Sequence, residues 1–217
     1  MILNVIKKDR NFVYVSCEDD SKLKIPFSIW EKFHLFDKIN LEQNNYDLLI
    51  TQIEINLAKN RALRLLAKRA YFQNEMFRKL VQLKFSRNAV EAVINDLLAL
   101  SFLDDKKNIE NFIAEKLRTR RYGLNRIKND LRRKGVDKEL IDIYVKKNDI
   151  ENSQKILENI HILAMKKIKS LQVKIQDRSK IYQKTYSHLI LKGYSHDLVE
   201  KELKKILGNY EFNNRLL

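Results

Sequence analysis

The chain has 217 residues with Lys+Arg 43 against Asp+Glu 28, a net charge of +15 and a pI near 9.7. Only four glycines and one proline occur while charged residues reach 33%, which favours long helices over a strand-rich fold. The single Cys17 allows no internal disulfide, and neither a secretory leader nor a membrane-spanning run is present, so a reduced, cytoplasmic protein attracting polyanions is expected.

Residues 1–45 read as a small β-rich module. Ile2 to Ile6, Phe12 to Cys17 and Leu23 to Phe27 are rich in β-branched and aromatic residues, with turns at Asp9-Arg10-Asn11 and Asp19-Asp20-Ser21. Ser28 is placed to cap a short helix through Trp30 and Phe33, and Ile39 to Leu41 reads as a last strand. Such a sheet has too little apolar area to stand alone and is expected to dock on the first helices, the alternative being a mobile appendage.

From Tyr46 the period changes to that of one helix face: Leu49, Ile50, Ile53, Leu57, Ala62, Leu65 and Leu66. Nothing forces a break before Arg69, so one long helix is expected there. It leads into the first of three tandem three-helix repeats, at 46–100, 101–150 and 151–217. Setting Arg69, Arg120 and Arg178 in register aligns Leu80, Leu131 and Leu189, then Lys84, Gly135 and Gly193, then Phe85, Val136 and Tyr194. Ser86, Asp137 and Ser195 follow at the N-cap of the next helix, and Val90, Ile141 and Val199 at the hydrophobic-staple position. Gly135 and Gly193 suit a left-handed residue just past a helix end, where Lys84 should cost about 1 kcal/mol. The fold class is therefore mostly α, tandem three-helix repeats forming an elongated curved body behind the β-rich module. The tail from Asn209 reads as loosely held.

Asp104-Asp105 allows metal ligation or helix capping. Neither a histidine nor a further acid stands at ligand spacing, so capping of the helix holding Ile109 to Leu117 is the reading adopted. His34, His161, His188 and His196 show no metal spacing, and no phosphate loop, nucleophile elbow or zinc motif occurs. No catalytic residue, cofactor site or metal site is expected.

Basic residues collect off the apolar faces: Arg64, Lys68, Arg78 and Lys79 in the first repeat, and Arg118, Arg121, Arg126, Lys128, Arg132, Arg133 and Lys134 in the second. From Arg118 to Lys134 the one acid is Asp130, so a binding surface is favoured over an ordinary solvated face. Gly123 stands at the joint between the first two helices of that repeat. Sequence-specific groove reading is disfavoured, because of the three capped helices only the one opening with Arg87-Asn88 offers suitable residues.

These residues resemble the RecX family, regulators of the RecA recombinase. The resemblance runs through Ala62-Leu63-Arg64-Leu65-Leu66-Ala67-Lys68-Arg69, Glu75, Lys79-Leu80 and Phe102-Leu103-Asp104-Asp105. It continues through Phe112-Ile113, Gly123, Arg126-Ile127, Lys134-Gly135-Val136 and Lys192-Gly193-Tyr194-Ser195. Lys84, and Ser101 before the acidic pair, stand where the family usually has glycine. The resemblance implies a non-enzymatic protein that binds the groove of the RecA filament on single-stranded DNA; a monomer without membrane contact is expected. There it would restrain ATP hydrolysis, strand exchange and the co-protease activity behind the SOS response. The alternative is a general nucleic-acid-binding protein acting on naked DNA or RNA. A nuclease using Asp104 and Asp105 is a weaker third reading.

Overall fold

Phe12 to Cys17 alternate half-exposed and buried positions, and this period of two makes them a central strand of an antiparallel sheet. In the computed structural model, which describes residues 1–35, 38–119 and 122–208, four strands appear: β1 (Ile2–Lys8), β2 (Phe12–Cys17), β3 (Lys22–Pro26) and β4 (Lys38–Asn40). Their order is β3-β2-β1-β4. Val15 pairs with Val5 on one side and Leu23 on the other, and a bulge between Val5 and Lys7 shifts the register of β1.

Helix α1 (Phe27–Lys32) corrects one expectation. It starts from Pro26, so Ser28 lies inside the helix and does not cap it. Pro26 holds an extended backbone at φ −55° and ψ 136°, and the Phe27 N–H is taken by the Asn11 carbonyl at 2.8 Å, so the first donor needs no side-chain cap.

Helix α2 (Gln43–Leu66) runs unbroken for 24 residues, as its apolar period predicts. Its first half puts Leu49 and Ile53 among Leu3, Val13, Val15, Ile25, Ile29 and Trp30, closing the core under the sheet. Its second half puts Ala58, Ala62 and Leu65 against Met76 and Leu80 of α3 (Gln73–Gln82) and Val90, Val93, Ile94 and Leu97 of α4 (Arg87–Ala99). One helix thus contributes to two cores, and Met1–Asp104 forms one compact unit.

The second unit, from Asp105 onward, contains α5 (Asp105–Arg118), α6 (Leu124–Arg133), α7 (Lys138–Glu151), α8 (Ser153–Gln172), α9 (Arg178–Leu191) and α10 (His196–Leu207). The chain is thus mostly helical, with ten helices and a small antiparallel sheet among the described residues. Arg120, Arg121 and the tail from Asn209 lie outside the described residues.

The helix endings repeat as their sequences do. Lys84, Gly135 and Gly193 have φ of 70°, 82° and 87°, and each following N–H reaches back five residues, Phe85 to Leu80, Val136 to Leu131 and Tyr194 to Leu189. That is the Schellman pattern, completed by bonds from Lys84 to Val81, Gly135 to Arg132 and Gly193 to Ile190. The same two bonds close α1 at His34 and α4 at Ser101, again left-handed without glycine. Asp137 caps α7 through the N–H groups of Glu139 and Leu140, and Ser86 caps α4 through that of Ala89. Ser195 occupies the same place before α10 but its hydroxyl makes no cap bond.

Candidate functional site

The second unit is organised by a close crossing of backbones. Gly123, before α6, donates its N–H to the Lys192 carbonyl at 2.9 Å, and Asn125 donates to the Gly193 carbonyl at 3.0 Å. Open donors at the start of α6 thereby satisfy open acceptors at the end of α9. A Cβ on Gly123 would lie 2.4 Å from the Gly193 oxygen, and one on Gly193 would lie 2.4 Å from the backbone nitrogen of Arg126. Gly193 must be glycine for its φ of 87° as well as for this closeness, whereas Gly123, at φ −80°, must be glycine for closeness alone.

Arg126 follows from this crossing. It is half-buried, its guanidinium sits 4.3 Å from the centroid of Tyr122, and Nη1 reaches the Leu191 carbonyl at 3.4 Å. Lys128 pairs with Asp142 of α7, whose carboxyl is held below its usual range first by that lysine and further by Arg132 and Lys138. Arg133 pairs with Asp130 at 2.6 Å yet keeps most of its side chain in solvent, and Arg118 and Arg132 are exposed. The ammonium groups of Lys116 and Lys134 stand 5.0 and 5.9 Å from the Phe112 ring. Of the second-repeat cations singled out in the sequence, Arg126 and Lys128 are tied into the fold, whereas Arg118, Arg132 and Arg133 project outward. Arg121 falls outside the described residues.

In the first unit Arg64, Lys68 and Arg78 are exposed and Lys79 is half-buried, with Arg78 Nε donating to the Asn74 carbonyl at 3.2 Å. Arg69 has a structural role: it lies 3.6 Å over Tyr71 and grips both Glu75 oxygens at 2.9 and 3.1 Å. Asp104 directly precedes α5 and Asp105 is its first residue, where an acid complements the helix dipole. Among the described residues no group of three or more His, Cys, Asp or Glu could hold a metal, and no helix is long and apolar enough to cross a membrane.

Three features escaped the sequence reading. Glu54 of α2 accepts from both the backbone N–H and the hydroxyl of Ser86, at 2.5 and 2.6 Å, and so braces the cap of α4. Asn159, 2% exposed, donates to the Leu117 carbonyl at the end of α5. Tyr194, also 2% exposed, has a phenol pushed up to about 12 by burial. The apolar spacing around Asn159 was the one usable signal, since it puts a polar residue on the buried stripe of α8.

Comparison with known proteins decides the family. Residues 58–97 match the profile of the RecX first three-helix domain, and 104–144 that of the second. A regulatory protein RecX of Clostridioides difficile is 31% identical over 156 residues, covering 72% of this chain and 71% of the relative. The chain belongs to the RecX family. A regulatory protein RecX of Clostridium botulinum is 28% identical over 210 residues, 97% of this chain and 96% of its own length. The RecX fold extends to solved structures: a crystal structure of regulatory protein RecX superposes with a TM-score of 0.70 at 19% identity, covering 91% of this chain and 95% of the other. RecX from Lactobacillus salivarius gives 0.61 at 23%, covering 70% and 96%. In this RecX chain the α8–α10 segment carries the same closing turn as the two matched domains, at Gly193-Tyr194-Ser195.

Proposed function

We propose that this chain is a non-enzymatic regulator that binds the RecA filament on single-stranded DNA and lowers its ATPase, strand-exchange and co-protease activities. The observation that carries the reading is the cationic surface around α6. Arg118, Arg132 and Arg133 project there, and Asp142 beside them is held below its usual range by the surrounding cations. A nucleoprotein filament is a polyanion, and exposed guanidinium groups carried on folded helices attract it and can replace its counterions. Arg64, Lys68, Arg78 and Lys79 of the first unit supply further exposed or half-exposed cations for the same class of partner.

The test is ATP hydrolysis by RecA already assembled on single-stranded DNA, with this protein added at less than one copy per RecA and naked-strand binding measured in the same buffer. Hydrolysis should fall at low ratios while the bare strand is bound weakly. An effect confined to concentrations that coat bare DNA would show instead that the basic surface serves nucleic acid directly.

A further inference from the structure

The outer face of the N-terminal sheet carries a pattern that regulation through α6 leaves unused. The antiparallel register sets Tyr14 of β2 between Lys7 of β1 and Lys24 of β3, and sets Ser16 between Asn4 and Lys22. Phe12 lies two residues from Tyr14 on the same face. These are the exposed and half-exposed members of an alternation whose inward members, Leu3, Val13, Val15 and Ile25, pack under α1 and α2.

Two aromatic rings side by side on a central strand, in cross-strand register with lysines, are more than sheet stability asks of a solvated face. The Lys24 ammonium stands 3.9 Å from the Phe12 centroid and 5.5 Å from that of Tyr14. Among the described residues, acids sit only at the strand ends of this face. Asp9, in the β1–β2 turn, accepts from the N–H groups of Asn11 and Phe12 and from the Tyr14 hydroxyl. Asp19, in the β2–β3 turn, is taken up by Ser21. A cationic band therefore crosses the strands between two acidic turns.

We propose that this face binds a short single-stranded nucleic-acid segment running across the strands, with bases stacked on Phe12 and Tyr14 and phosphates held by Lys7, Lys22 and Lys24. Stacking on aromatic rings beside cations is the general chemistry of single-strand recognition, and it tolerates any base because every base has a π-face. Lys24 covers the rings when no strand is bound. A contact between an exposed ammonium and a ring is weaker than a stacked base, so the flexible lysine swings onto a phosphate as the base takes its place. The site rests on no part of the function proposed above, and either can fail while the other stands.

The experiment compares the parent and three variants of the full chain by anisotropy of a fluorescent oligo(dT) strand, with circular dichroism as a check on folding. Replacing both rings by leucine (Phe12→Leu with Tyr14→Leu) should weaken binding about tenfold or more, whereas exchanging them for other aromatics (Phe12→Tyr with Tyr14→Phe) should preserve it. A bromodeoxyuridine-substituted strand should crosslink under ultraviolet light to Phe12 or Tyr14, located by mass spectrometry. Lys24→Gln should reduce the slope of log affinity against log salt by about 0.7. Unchanged affinity in the leucine form, equal weakening in both double variants, or crosslinks confined to residues after 42 would each overturn the proposal. An oligo(U) strand run beside oligo(dT) distinguishes RNA from DNA as the ligand.

Discussion

Lys84 and Ser101 hold the left-handed backbone, φ 70° and 57°, that glycine holds at Gly135 and Gly193. A side chain there costs about 1–2 kcal/mol, partly offset because glycine loses more freedom on folding. Lys84→Gly and Ser101→Gly should therefore each stabilise the protein by about 0.5–1 kcal/mol in urea unfolding. Gly123 and Gly193 mark the opposite case. Gly123→Ala drives a methyl to 2.4 Å from a backbone oxygen, a clash no side-chain motion relieves, and should cost about 3 kcal/mol or more. Gly208 has φ 84°, but a methyl added there would meet nothing within 4 Å, so Gly208→Ala should cost only about 1 kcal/mol. The turn role of Gly193 was legible because it depends on residues next to it. The second constraint was not, since the approach of Arg126 joins positions far apart in sequence. Burial adds a pH dependence at Tyr194. The fold keeps this phenol neutral up to about 12, while the unfolded chain ionises it near 10. Stability present below pH 10 is therefore lost as pH rises from about 10 to about 12, and Tyr194→Phe should flatten that part of the unfolding curve relative to the parent.

At the level of elements, local order was readable and long-range bracing was not. The strands and helices follow from periods of two and three to four, and the boundaries of β2 and the unbroken α2 follow from residues within a few positions of one another. Ser28 shows where that reasoning stops. A serine before an apolar helix is a good cap in general, but Pro26 had already set the entry angle and Asn11, on another strand connection, had taken the first N–H. Glu54 and Asn159 belong to the same class, because each answers an open group on a helix that only folding brings near. Asn159→Ala would leave the Leu117 carbonyl without its buried donor and should cost about 1–3 kcal/mol. Asn159→Leu should cost a similar amount despite its larger apolar area, and a neutral result in chemical denaturation would show that water replaces the bond.

For the whole molecule the question is whether the charge of +15 acts as a total or through its placement. The α6 surface presents Arg118, Arg132 and Arg133, while Lys166, Lys169 and Lys174, on α8 and just after it, are equally exposed. Reversing either trio to glutamate removes two charges per site and brings the net charge to the same +9. Long-range attraction depends on the total and is screened beyond a Debye length of about 8 Å at physiological salt, whereas direct contacts release counterions site by site. If placement governs, the α6 trio should weaken filament binding strongly and flatten its salt dependence, and the α8 trio should leave the slope nearly unchanged. Equal losses in the two variants would mean that the net charge alone draws this protein to its partner and that α6 has no special part in it.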